Sequence, residues 1–550
     1  MNRMTSEKRG SRAAAWVGTL TVLTLATVVA LVSQLYLHHR LDLTRDREFT
    51  LSRAALKTLD NLPDIVTVRV VMSRDLPTQF QQARTQAVDL LREFEARSNG
   101  KFVLVFEDPG KDPVKRQAAA SMGIREVQLQ EQSDEGVQVK KGYFGIALLY
   151  GDKKEVFPVI ESLETFEYEL VVRLMKLTGR TKTIGIVEGA EGNQMTFALP
   201  GAQEPPVRGF ASLFGALKSN MEQLYRIAPQ YVAWSPIAKD VDLLLVAAPE
   251  RLSEVEKFRI DQFVLSGRPV VFLTPGMNVD LSAGIGSQPS ANQYEDLLAH
   301  YGLGVRKNML LEPRQWELVR FGNAMFPSPY PYWIVPTYNT LNPDNPITAG
   351  LQSLSFPWTS SIEVDPAAQP GVKRDTLVST SDQAWEESGN LYLYPRELNE
   401  YRPENQRRFP LAILETGALT SRYAAGAPEG IPPEESTGML LKSRSASRVL
   451  VVSNALFVSD FYVGYVKAAG NENFVLNALD YLVLDPDLIG VRSREIQEFP
   501  LDENLKVRAK TPVIIANLAF APLLLLLWGL MIAVRRRRRK RKGEGAGETA

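Results

Sequence analysis

The sequence predicts an α/β protein: an exported body held between two transmembrane helices. Three observations carry this reading. Two charge-free apolar runs stand near the two ends, residues 13–37 and 512–534. Between them, strand-like and helix-like stretches alternate, as in α/β folds. Basic residues flank the outer side of each apolar run, Arg3, Lys8, Arg9 and Arg12 before the first and Arg535 to Lys542 after the second.

The N-terminal run reads "AAAWVGTLTVLTLATVVALVSQLYL". Lys and Arg mark the cytoplasmic ends of membrane helices, because they resist translocation and meet anionic lipid there. Residues 1–12 are therefore expected to be cytoplasmic. The "VVA" ending at Ala30 resembles a signal-peptide cleavage pattern. The apolar run continues past it through Leu31, Val32, Leu35 and Leu37, which favours an anchor. Thr21, Thr24 and Thr27 recur every three residues along this run, and Asn517 lies in the second. Polar and small residues in such helices favour contacts with other membrane helices. His38 and His39 suit the membrane interface.

Residues 38–180 read as a first exported α/β domain. "LDLTRDREFTLS" is too charged for lipid, and Ser52 is a candidate N-cap for the helix that follows. "DIVTVRVVMS" is Val-rich and strand-like. "ARTQAVDLLREFEARSNG" places Ala87, Leu90, Leu91 and Phe94 on one helical face and stops at Ser98-Asn99-Gly100. With "KFVLVFEDP" it makes a βαβ outline of thioredoxin-like size. "GYFGIALLYGDKKEVFPVI" reads as a hairpin turning at Gly151-Asp152, and a helix is expected from near Ser162 to Gly179.

Residues 181–490 read as a second α/β domain. "DVDLLLVAAP" is the continuous apolar run of a central parallel strand. Ser253 and Glu256 are spaced as a capping box, Gly267 ends that helix, and Val270 to Leu273 is the next strand. An irregular insert, 276–366, is dense in Pro and aromatic residues. Its Tyr330, Tyr332, Trp333 and Tyr338 are candidates for covering a sheet edge or meeting a partner on the exported side, with a ligand groove as the alternative. "SRVLVVSNALFVSD" and "NENFVLNALDYLVLD" are a buried strand and a helix. Residues 491–511 form a polar juxtamembrane linker.

The second apolar run spans roughly 33 Å as a helix, enough for a bilayer core of about 30 Å. The tail, 535–550, begins with Arg535, Arg536, Arg537, Arg538, Arg539 and Lys540. Nucleic-acid binding would need a basic fold face behind this run. The chain carries 63 basic and 63 acidic residues, so the run reads as a topology determinant and no nucleic-acid partner is expected. Both termini are expected in the cytoplasm and the body on the far side of a bacterial cell membrane.

Catalytic equipment is not visible. The chain has no cysteine, which excludes disulfides, thiolate metal sites and cysteine nucleophiles. It has no Gly-Lys-Ser/Thr phosphate loop and no G-x-S-x-G elbow. "GIVEGAEGN" has the wrong glycine spacing for a dinucleotide fingerprint. Its three histidines include one, His300, away from the membrane exit, and it reads as a helix-end residue. No cofactor and no metal are expected.

The order "LDLTRDREFTLS", "YFGIALLYGDKKE", "LETFEYEL", "TKTIGIVEG", "VDLLLVAAP", "LSGRPVVFLTPG", "RVLVVSNALFVSD" and "GNENFVLNALDYL" resembles the GldG family, ABC-transporter auxiliary proteins associated with gliding motility. The resemblance implies a non-enzymatic accessory or substrate-binding-like subunit working with an ABC permease and a separate ABC ATPase. It also implies a class I glutamine-amidotransferase-like fold for the second domain, used without its chemistry. The alternative is a membrane-anchored envelope enzyme, or a scaffold binding polysaccharide or peptidoglycan.

Overall fold

The computed structural model describes residues 51–484, apart from 134–135, 161–162, 164, 189–209, 250, 281–285, 291–293, 322–324 and 467–468. The described fold is mixed α/β. It corrects the expectation of two transmembrane helices, because no described helix is long and apolar enough to cross a membrane. The longest, Thr78–Arg97, carries Arg84, Asp89, Arg92, Glu93, Glu95 and Arg97, whose burial in lipid would be prohibitive. The apolar runs 13–37 and 512–534 lie outside the described residues.

The first module runs α1 (Arg53–Asp60), β1 (Val66–Met72), α2 (Thr78–Arg97), β2 (Phe102–Glu107), α3 (Pro113–Met122), β3 (Val127–Ser133), β4 (Gly136–Gly142), β5 (Phe144–Tyr150), β6 (Lys153–Phe157) and α4 (Phe166–Leu177). Its four-stranded sheet has the order β2-β1-β5-β6. β1 and β2 are parallel, while β5 and β6 are antiparallel to their neighbours. Local chemistry sets the ends. The Ser52 hydroxyl accepts from Ala55 N–H at 3.1 Å to start α1. Asp112 caps α3, and Gly123, at φ +94°, closes it. Val66, Val68, Val70 and Met72 pack with Leu59, Leu91, Phe94 and Leu174, whereas Val71 packs with Ala119, Ile124 and Ala147 on the other face. Gly145 has no alternative: a Cβ there would stand 2.6 Å from the Phe157 carbonyl. The β3–β4 hairpin carries a weak sequence signal, because Val127 to Lys141 is mostly polar and its apolar alternation, Val127/Leu129 and Val137/Val139, is short.

The second module begins with β7 (Thr183–Val187), α5 (Phe210–Leu213), α6 (Gly215–Leu224), β8 (Arg226–Gln230), β9 (Leu243–Ala247), α7 (Glu254–Leu265) and β10 (Val270–Leu273). An insert follows: β11 (Met277–Asp280), β12 (Gly286–Pro289), α8 (Glu295–His300), β13 (Leu303–Val305), β14 (Asn308–Leu311), β15 (Trp316–Val319), β16 (Ser328–Ile334), β17 (Phe356–Pro357) and β18 (Ile362–Val364). The chain continues with β19 (Lys373–Ser379), β20 (Trp385–Ser388), β21 (Leu391–Tyr392), β22 (Pro410–Gly417), α9 (Pro433–Thr437), β23 (Ser447–Val452), α10 (Asp460–Val466) and α11 (Ala469–Val483).

The seven-stranded sheet has the order β19-β22-β23-β10-β9-β7-β8. The run from β23 to β8 is parallel, and β22 and β19 add an antiparallel edge. The period of two sorts its side chains. Leu243, Leu245, Val271, Leu273, Leu450 and Val452 face a core shared with α6 and α11. Leu244, Val246, Val270, Phe272, Val449 and Val451 face α7 and α8. The capping box of α7 is complete: Ser253 Oγ accepts from Glu256 N–H at 3.3 Å, and the Glu256 carboxylate accepts from Ser253 N–H at 2.7 Å. The insert is a set of small antiparallel sheets, and its strands reach beyond 366 to β20 and β21. The two modules are tied where Asp480 of α11 accepts from the Tyr168 hydroxyl of α4 at 2.6 Å and from the Tyr225 hydroxyl.

Candidate functional site

In open parallel sheets, ligands bind at the carboxyl ends of the strands where strand order reverses. Here that reversal lies between β7 and β9, since β7 leads outward to β8 and then back to β9. Glu188 follows β7, and its N–H donates to the Gln230 carbonyl at 3.0 Å. Burial raises the Glu188 carboxyl, and the Phe210 N–H opposes that rise. Ala248 follows β9 at φ +42°, a left-handed conformation costing about 1 kcal/mol for a residue with a Cβ. Its N–H donates to the Leu273 carbonyl at 2.8 Å, which ties the turn to β10.

The neighbouring half of the edge, over β10 and β23, is closed by the insert. Thr274 is buried there, its N–H bonded to the Val452 carbonyl and its hydroxyl to the Tyr294 hydroxyl. The Asn454 side chain donates to the Pro357 carbonyl at 2.5 Å and accepts from Phe457 N–H at 3.0 Å. Gly276 sits so close to the insert that a Cβ would lie 2.0 Å from the Arg306 carbonyl. The polar groups that a parallel sheet normally offers at this edge are thus spent on holding the insert.

The aromatic candidates resolve unevenly. Tyr330, Tyr332 and Trp333 are 0%, 0% and 2% exposed, so they are interior residues of the insert rather than a contact surface. They pack with Trp358, Trp385, Tyr401 and Tyr462 in one cluster. Only Tyr338, 69% exposed, stands at the surface. The burial has a plain cause: β16 is paired on both sides, by β15 and β17. Within the cluster, the Tyr332 hydroxyl donates to Glu387 at 2.8 Å. Arg396 donates to Tyr332 Oη at 2.6 Å and to Glu387 at 3.0 Å, and lies 4.3 Å from the centre of the Tyr401 ring. Burial, then the neighbouring Glu387 carboxylate, pushes the Tyr332 hydroxyl far above its ordinary range.

A second buried polar group lies under α7. Asp261 is fully buried and accepts from the Ser421 hydroxyl at 2.7 Å, the Tyr301 hydroxyl at 2.9 Å and Arg422 N–H at 3.3 Å. Burial raises its carboxyl despite these donors. Each acceptor is used to fasten the loop after β22 to α7. His300, the last residue of α8, bonds the Thr420 carbonyl at 3.0 Å and meets Gln369 at 3.2 Å. Among the described residues, no group of three or more His, Cys, Asp or Glu is placed to hold a metal ion.

Thr21, Thr24, Thr27, Asn517, Arg535, Arg536, Arg537, Arg538, Arg539 and Lys540 lie outside the described residues. Sequence reasoning missed Glu188, Asp261, and the Glu387 and Arg396 partners of Tyr332. Each is an ordinary polar residue in sequence, and long-range packing alone makes it distinctive.

Comparison with known proteins adds the family. A family described as an ABC-type uncharacterized transport system matches residues 181–478. A domain of unknown function (DUF7088) matches residues 45–149. An uncharacterized protein of Borreliella burgdorferi is 23% identical over 507 residues, covering 90% of this chain and 93% of its own length. Among solved structures, the N-terminal domain of mmIFT52 aligns with 56% of this chain and 99% of its own, at 14% identity and a TM-score of 0.31. A ThuA-like protein from Bacteroides uniformis aligns with 56% of this chain and 96% of its own, at 11% identity and a TM-score of 0.30.

Proposed function

The chain belongs to the family of auxiliary components of ABC-type transport systems, and from this premise we propose that it is a non-catalytic accessory subunit of an ABC transport complex of the GldG type. Its partners are an ABC permease and a separate ABC ATPase. The observation that carries the reading is the family match over 181–478, which spans the whole seven-stranded sheet and its insert.

Two features support it. The sequence has no phosphate loop, so ATP hydrolysis belongs to another chain. The carboxyl edge over β10 and β23 is occupied by the insert, through Thr274, Asn454 and Gly276. A fold of this class with half its usual binding edge filled suits a protein-binding role better than turnover. In this reading the folded body works on the extracytoplasmic side of a bacterial cell membrane, where it presents a substrate or couples permease motion to envelope components. Gliding is one setting in which such a complex would act.

The test is ATP turnover. The chain purified alone is expected to hydrolyse no ATP. Co-purified with its ATPase, it is expected to show activity that disappears when the phosphate-loop lysine of the ATPase is replaced. Hydrolysis by the isolated chain would overturn the reading. Protease added to intact spheroplasts is expected to digest the body; full protection would contradict the extracytoplasmic placement.

A further inference from the structure

A cavity of about 350 Å³ opens in the first module, between α2 and the carboxyl ends of β1 and β2. Its walls are both apolar and charged. Val70, Met72, Val88 and Phe106 supply the apolar part, and Phe106 is half-exposed. The charged part is Arg74, Arg84, Asp89, Arg92, Glu107 and Asp108.

Charge accounting separates the engaged groups from the idle ones. Glu107 is held by Arg69 at 2.8 Å. Asp108 is held by Arg74, through the Arg74 N–H at 3.3 Å and a guanidinium contact at 3.9 Å. That leaves Arg84 and Arg92 against Asp89. Arg84 Nε is buried and has no hydrogen-bond partner. Arg92 lies 5.9 Å from the centre of the Phe106 ring. All three line the cavity from α2, and Asp89 and Arg92, three residues apart, are neighbours on the helix surface. The idle charge is +2 and −1, a net +1.

A buried guanidinium donor without a partner is costly, and the usual partner for its planar fork is a carboxylate. One monoanionic carboxylate balances the idle charge, whereas a phosphate dianion would exceed it and face Asp89. The apolar wall asks for an apolar group beside the carboxylate. The free edge of β2 does not ask for a pairing strand, because the Phe102 and Leu104 N–H groups are already taken by Ser98 Oγ at 3.0 Å and Glu95 Oε1 at 2.9 Å. A volume of this size lies at the lower end for ligand sites. We infer that this cavity is a binding site for a small organic carboxylate carrying an apolar group, met either as a free acid or as one residue of a peptide. The inference stands independently of the transport role.

The test is calorimetric titration of the full chain with three probes: N-acetyl-leucine, N-acetyl-leucinamide and the capped peptide acetyl-Val-Leu-Glu-Leu-Val-amide. At least one carboxylate probe is expected to bind ten-fold or more tightly than the neutral amide. Binding of the free acid alone identifies a small-molecule ligand, and binding of the peptide alone identifies a protein segment. Arg84→Gln is expected to weaken that probe about ten-fold while leaving the thermal midpoint unchanged or higher, because it removes an unsatisfied donor. Lys176→Gln, where neither Lys176 nor its ion-pair partner Glu155 lines the cavity, is expected to leave binding unchanged. Binding of neither carboxylate probe more tightly than the amide, or unchanged binding in Arg84→Gln, would overturn the inference.

Discussion

Asp460 caps helix α6 from 245 residues away: its two carboxylate oxygens accept from Gly215 N–H and Ala216 N–H, each at 2.9 Å. Helix N-termini leave N–H groups without partners and carry partial positive charge. Phe214, the residue at the cap position, has no side chain able to bond them. Asp460 itself opens α10, so one carboxylate links the starts of two helices. Asp460→Ala is expected to lower stability by about 1 kcal/mol, and Asp460→Asn by less, since an acceptor remains. Urea midpoints of the three proteins check this; an unchanged midpoint in Asp460→Ala contradicts it.

Glu415 makes stability depend on pH. It is 0% exposed, in register with Arg374 on β19, and its Oε2 accepts from Arg374 Nε at 3.2 Å. Burial pushes its carboxyl from 4.5 up to about 7, and Arg374 only partly offsets this. A carboxyl raised in the folded state binds its proton more tightly there. Its stabilising contribution is therefore full below pH 4.5, falls as pH rises, and is gone above about 7. A displacement of that size corresponds to roughly 3 kcal/mol. Unfolding free energies at pH 5 and pH 8 are expected to differ more in the native protein than in Glu415→Gln. The same pH dependence in both would contradict this account.

Trp333 and Tyr338 separate interior from surface within the insert. Trp333→Ala is expected to cost roughly 3–5 kcal/mol, as for a large buried aromatic residue. Tyr338→Ala is expected to stay within about 0.5 kcal/mol. Thermal melts followed by circular dichroism distinguish the two, and similar losses would place Tyr338 in the core.

Tyr168 joins the modules through Asp480. Tyr168→Phe removes one hydrogen bond to a buried carboxylate that Tyr225 still serves. The expected loss is about 1.5 kcal/mol. If denaturant midpoints of Tyr168→Phe and the native protein coincide, this contact does not stabilise the junction.

The legible parts of the fold are those with short-range causes. The apolar run of β9, the Ser253–Glu256 box of α7 and the Gly151-Asp152 turn all depend on residues within one element, and each stands in the structure as its local pattern requires. The illegible parts depend on distant packing. β19 is polar along much of its length and belongs to the sheet because β22 offers it an edge. Tyr330, Tyr332 and Trp333 have the composition of an exposed patch and are interior because β15 and β17 flank them. Arg84 and Arg92 have the spacing of an ordinary solvated helix face, and only the packing of α2 beside the ends of β1 and β2 makes them line a cavity.

The central claim is the accessory role, and affinity purification from detergent-solubilised native membranes tests it most directly, with partners identified by mass spectrometry. The account predicts recovery of an ABC ATPase together with a multi-span permease. Recovery of the protein alone, or with envelope polymer and no ATPase, would contradict it.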